Sequence, residues 1–215
     1  MRTYLELVND VLRRMRENTV SSLYENAQSS VVADLVNDAK ETVEQAHDWT
    51  CLRQDITVNY GVGSGTGALG VPSNTTIIGA YNQTTPARMT RVSMEYIRNK
   101  QLIPDQPNGT PTYYSVDSTD SNGNLQAEVW PKADKSTNVQ YNCYVREAEL
   151  TAEGDTTLLP AKSIILQALA MALQERGDVQ GQDLASATAN AQRRLAQDIQ
   201  YDMAHTPENS LWYPV

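Results

Sequence analysis

Phenylalanine is absent from the 215 residues, and histidine and cysteine occur twice each. Without phenylalanine the aromatic content rests on 11 tyrosines and 3 tryptophans. Every large ring therefore carries a polar tip, which suits buried hydroxyls with partners or half-wet interfaces. Cys51 and Cys143 form no CxxC pair, so the spacing excludes a zinc framework and leaves two small buried thiols or one disulfide. Positive charge is also scarce, with 17 Lys and Arg against 26 Asp and Glu. No basic stripe exists to track a phosphate backbone, which argues against tight nucleic-acid binding. Long apolar runs are missing too. The longest, Ile164 to Leu173, contains Gln167 and is too short to cross a bilayer. The first residues, "MRTYLELVNDVLRRMR", are amphipathic and charged with no signal-peptide apolar core. The expectation is a soluble protein made in the cytoplasm.

What is present is a globular composition, 40% apolar and 20% charged. The net charge of −9 is uneven: −4 over residues 1–50, −1 over 51–150 and −4 over 151–215. Leu5, Val8, Leu12 and Met15 recur at three- and four-residue steps and predict a first helix. Ser29 or Ser30 can cap a second, whose face of Val31, Val32, Leu35, Val36, Ala39, Val43 and Ala46 opposes Asp34, Asp38, Glu41 and Glu44. After Trp49 the period changes. Segments 55–60, 75–81, 111–117, 125–130 and 138–146 are β-branched and aromatic, with Gly, Pro, Asn and Asp between them. Residues 93–102 interrupt them as a short helix, and "DSTDSNGN" (117–124) reads as a hairpin turn.

Helical spacing returns in "EGDTTLLPAKSIILQALAMAL" (153–173). Pro160 suits a first helical turn, Glu153 and Asp155 lie near the positive end of its dipole, and Arg176 with Gly177 fit its end. A sequence apolar nearly all round belongs in the middle of a packed unit. A last helix over about 182–203 carries a narrow stripe of Leu184, Ala187, Ala191, Leu195, Ile199 and Met203. The fold expected is α+β, a four-helix bundle from the N- and C-terminal helix pairs with an inserted antiparallel β-rich region. Its boundaries are 1–50 with 155–206 for the bundle, 51–154 for the insertion with its short helix, and 207–215 for a C-terminal docking tail.

Catalytic and cofactor patterns fail on context. "GTGALG" (65–70) spells a dinucleotide fingerprint, but a turn and a strand follow it where a helix must stand, so a flexible loop is expected. "STDSNG" (118–123) is half a calcium loop, with Ser at the first ligand position and Val129 at the twelfth, and reads as a turn. His47 and His205 stand in no HExxH or triad context. Glu147, Glu149, Glu153 and Asp155 read as solvated turn acids rather than a hydrolytic pair. No catalytic, cofactor or metal residue is assigned. The ending "LWYPV" follows a proline break, so Leu211, Trp212, Tyr213, Pro214 and Val215 cannot rejoin the last helix. They fold back on their own helices or insert into a partner's groove with Trp212 and Tyr213 as anchors.

Four strings, in this order, resemble the head-to-tail adaptor proteins of short-tailed bacteriophages, the tail tubular protein A family. They are "LVNDVLRRMRENTVSSL", "VNDAKETVEQAHDWTCLRQDITV", "LQAEVWPKAD" and "LTAEGDTTLLPAKSIILQALAMAL". The resemblance implies a structural virion protein at the head-tail junction, not an enzyme. It implies a homo-oligomeric ring of twelve copies between the portal protein and the tail nozzle or another tail protein. Genomic DNA would pass through the channel at ejection without specific binding, and no membrane would be involved. Alternatives are another connector or tail-completion protein of the same channel, or a small hydrolase or carbohydrate-binding module using the tyrosine-rich strands.

Overall fold

The elements of the computed structural model run α1 (Tyr4–Arg14), α2 (Ala27–Gln45), a 3-10 turn (Thr50–Leu52), β1 (Arg53–Tyr60), β2 (Thr66–Pro72), β3 (Thr76–Asn82), β4 (Ala87–Arg88), β5 (Thr90–Arg91), α3 (Met94–Gln101), β6 (Tyr113–Thr119), β7 (Asn124–Trp130), β8 (Thr137–Tyr144), α4 (Ala161–Arg176) and α5 (Gln182–His205). The structure describes residues 1–103, 107–177 and 182–205. The chain divides into a helical unit, Met1–Cys51 with Glu147–Val215, and a sheet unit, Leu52–Arg146.

In the helical unit, α1 begins with a capping box. The Thr3 side chain accepts from the Glu6 backbone amide, and the Glu6 carboxylate accepts from Thr3 N–H. Its buried face is Tyr4, Leu7, Val8, Val11 and Leu12, while Leu5 and Met15 of the expected stripe are only half-buried. Tertiary partners choose this face. Tyr4 N–H donates to the Asp155 carbonyl at 2.8 Å, and the Tyr4 hydroxyl donates to the Ala33 carbonyl at 2.8 Å. Asn26, not Ser29 or Ser30, caps α2, and Ser29 is its capping-box partner. Helix α4, apolar on most sides, sits centrally, with α1, α2 and α5 each packed on it. Pro160 is its N-cap and Gly177, at φ 64°, its left-handed C-cap.

The sheet unit holds two four-stranded sheets, ordered β1-β8-β3-β4 and β2-β7-β6-β5. Val58, Tyr60, Val139 and Tyr141 from the first and Leu69, Ala127, Val129 and Tyr114 from the second meet in one buried core. The β6–β7 hairpin closes on Asp120, whose carboxylate accepts from the amides of Asn122 and Asn124. Those bonds hold its carboxyl below the usual carboxylate range.

The four-helix bundle with a β insertion is therefore not the architecture. The fold is α+β with five helices and two four-stranded sheets, and strands dominate the core. The physical reason lies in what each element can bury. The alternating strands close a complete sandwich interior of their own. Helix α5 contributes Ala191 as its one fully buried apolar residue among those described. The β region is also not wholly antiparallel, because β5 runs parallel to β6.

The glycine-rich stretch is corrected as well, since residues 66–70 belong to β2 rather than to a loop. Gly67 faces β1 so closely that an added Cβ would lie 2.6 Å from Val58 Cγ1 and 3.0 Å from the Tyr60 ring. Gly67→Ala is expected to destabilise the sheet unit by about 1–3 kcal/mol through overpacking. A urea titration followed by tryptophan fluorescence reads this, and an unchanged midpoint would show that the strands part freely.

Candidate docking surface

The acids read as turn residues are engaged one by one within the helical unit. Glu147 Oε1 accepts from Leu158 N–H at 2.7 Å, and Oε2 accepts from the Thr157 hydroxyl at 2.6 Å. Its own N–H donates to Glu44 Oε1 at 2.7 Å. Lys40, 4% exposed, donates to the carbonyls of Glu147 and Ala148 at 3.3 and 3.0 Å, and its Nζ lies 3.7 Å from Glu147 Oε2. Asn37 pairs with the Leu150 backbone in both directions, at 3.0 and 3.1 Å. Glu153 accepts from Leu23 N–H at 3.3 Å. Asp155 accepts from the amides of Ala152 and Thr151, which hold its carboxyl below the usual range. Neither Glu153 nor Asp155 caps α4. The Glu147 and Asp155 carboxylates brace the 147–158 segment internally, while Lys40, Asn37 and Glu44 tie it to α2 and the Tyr4 and Leu5 amides tie its carbonyls to α1.

A second set of polar groups fixes α5. His47 Nε2 lies 3.0 Å from Asp202 Oδ2, which also accepts from Thr50 N–H at 3.0 Å. Asp202 Oδ1 accepts from the Thr50 hydroxyl at 2.5 Å. Further along, buried Asp198 accepts from the Ser163 hydroxyl at 2.7 Å and pairs with Arg194 at 2.7 Å. Ser163 is 1% exposed, and its proton is committed to Asp198, so it offers nothing to a substrate. Helical period alone put Glu44 on the outer face and gave Lys40, Asp198 and Asp202 no role. The signal that could have found the last two is their i,i+4 spacing on a helix whose apolar residues are mostly alanine. Cys51 is exposed rather than buried, and both it and Cys143 are free thiols.

A groove of about 350 Å³ lies open where the end of α1, the start of α2 and the end of α4 meet. Its floor is apolar, from Met15, Val31, Val32, Leu35 and Ala172. Val31 remains 44% exposed there. Gln28, Glu175 and Arg176 form the polar part of the lining, with Arg176 paired to Glu17 at 2.7 Å. The Arg176 hydrogen bond lowers the Glu17 carboxyl, and Gln28 adds in the same direction. Chemically the groove can hold a short apolar segment.

The docking residues expected from the sequence, Leu211, Trp212, Tyr213, Pro214 and Val215, lie outside the described residues. No helix among the described residues is long and apolar enough to cross a membrane. No curated protein matches the chain. Residues 2–210 match a protein family described as SU10 adaptor protein.

Proposed function

The chain belongs to the SU10 adaptor protein family, phage structural proteins of the virion, and from that premise we propose that it forms a ring between the portal and the tail nozzle. Its partners are other phage head and tail proteins. The ring holds twelve copies, as in the tail tubular protein A-like adaptors it resembles, and continues the DNA channel. The observation that carries this reading is a family match spanning nearly the whole chain. The charge supports the channel role, since the chain's ends carry nearly all of the −9. Acidic helix faces turned to the lumen would repel passing phosphates and let DNA slide without specific binding. Negative-stain imaging of the protein with and without its portal tests the proposal. Rings capping the portal are expected, whereas particles that ignore the portal would overturn it.

Residues 211–215 are proposed as the docking element. Deleting them is expected to leave a folded protein, with unchanged circular dichroism, that no longer completes portal-containing heads. Normal head completion by the shortened chain would remove that role.

A further inference from the structure

We propose that the groove between α1, α2 and α4 is the seat for the C-terminal segment, residues 207–215, of a second copy of this chain, with Trp212 on its apolar floor. The inference deepens the self-assembly part of the adaptor reading, and rests on it.

The chemistry of the two surfaces corresponds. Residues 211–215 are uncharged and apolar-aromatic, and a tryptophan-sized anchor suits a groove of about 350 Å³. A packed helix would need a longer trough.

Reach decides which molecule supplies the segment. Helix α5 is held at Asp202 to His47 and Thr50, beside the C-terminal end of α2. The groove is at the opposite end of α2, centred near Val32. Thirteen residues of helix separate Val32 from Gln45, a rise of about 20 Å. Ser163 at the start of α4 meets Asp198 near the end of α5, and the groove brings the end of α4 to the start of α2, so α5 runs antiparallel to α4 and α4 to α2. The last turn of α5 therefore carries the chain about 5 Å further from the groove. Trp212 stands seven residues past His205, and seven extended residues span about 25 Å at most. The tail would have to reverse direction and then run fully taut to fill its own groove. A neighbouring copy has no such constraint. A tail of one copy seated in the groove of the next is a heterologous contact, the kind that closes into a ring.

Disulfide trapping between two full-length chains tests this. Both carry Cys51→Ser; one adds Val31→Cys at the groove and the other Leu211→Cys, beside the Trp212 anchor, which is kept. On mixing and oxidation, the heterodimer is expected to form at least about tenfold faster than with a control chain whose cysteine is placed by Gln197→Cys on exposed α5, a gain corresponding to tighter encounter. Adding Leu35→Glu to the groove chain is expected to abolish the excess. Cross-linking at the control rate would overturn the proposal. So would a single chain bearing both cysteines that closes internally while the mixed chains stay unlinked, since that assigns the groove to its own tail. If the deletion of 211–215 blocks head completion while trapping stays at the control rate, the adaptor reading stands and this seat alone falls.

Discussion

Lys40→Met is expected to lower the stability of the helical unit by about 3 kcal/mol, moving its thermal midpoint down by about 6–12 °C. Lys40 is buried, and its ammonium donates to the carbonyls of Glu147 and Ala148 beside the Glu147 carboxylate. Methionine keeps the length and the apolar packing but withdraws every donor. The two carbonyls are left without that partner, at about 1–3 kcal/mol for each buried group that water does not reach. The Glu147 charge is not orphaned, because Thr157 and Leu158 still donate to it, and that keeps the loss below the upper range for broken buried pairs. A double-mutant cycle with Glu147→Gln separates the two contributions, and a coupling of about 1 kcal/mol or more is expected for groups this close. Helical circular dichroism against temperature is the measurement. A midpoint shift under about 2 °C would mean that Lys40 acts as an exposed lysine, worth less than about 1 kcal/mol.

The same residue marks where sequence patterns stop. Period-based reading places α1, α2, α4 and α5 because an amphipathic or apolar run has a helical repeat whatever it later touches. It cannot see that α2 presents Lys40 and Glu44 inward, since their partners, the backbone of 147 and 148, lie more than a hundred positions away. The rotated face of α1 has the same origin: the Asp155 carbonyl and the Ala33 carbonyl draw Tyr4 inside. The fold class is decided at a different level. Four stripes invite a bundle, but the amount of core each element supplies depends on how many large apolar side chains meet, and the strands win that comparison. Strand β2 escaped notice because glycine weakens the usual strand signal. Gly67 is there for the close approach of Val58 and Tyr60, a fact visible only once β1 is opposite. The groove is half legible. Val31, Val32 and Leu35 share one apolar face and Gly177 marks the end of α4, but nothing in the sequence shows that the ends of α1 and α4 lie together beside the first turns of α2. Those two ends leave the first turns of α2 uncovered.

Raising the pH above about 10 is expected to unfold the sheet unit, and the cause lies in two tyrosines at its centre. The hydroxyls of Tyr60 and Tyr141, on neighbouring strands β1 and β8, lie 2.7 Å apart in the core. Burial pushes Tyr60 up to about 12, and burial, with Tyr60 beside it, pushes Tyr141 higher still. A free tyrosine in the unfolded chain ionises near 10. Between these values the folded unit retains protons that the unfolded chain releases, so unfolding becomes more favourable as pH rises. The contribution is fully present below about 10 and is lost progressively above it, at about 1.4 kcal/mol per pH unit for each tyrosine, or nearly 3 for the pair. Urea midpoints measured from neutral to strongly alkaline pH should be level at first and then fall. Ultraviolet phenolate absorbance should show the exposed tyrosines ionising first and the buried pair only as the unit unfolds. Tyr60→Phe with Tyr141→Phe removes both protons and should flatten most of the alkaline slope. If the double variant kept the parental slope, the buried pair would not be the alkaline trigger. A single Tyr60→Phe should instead cost about 1 kcal/mol at neutral pH, because it leaves the Tyr141 hydroxyl buried without its partner. The loss at neutral pH in the single variant and the flattened alkaline slope in the double variant therefore oppose each other in sign.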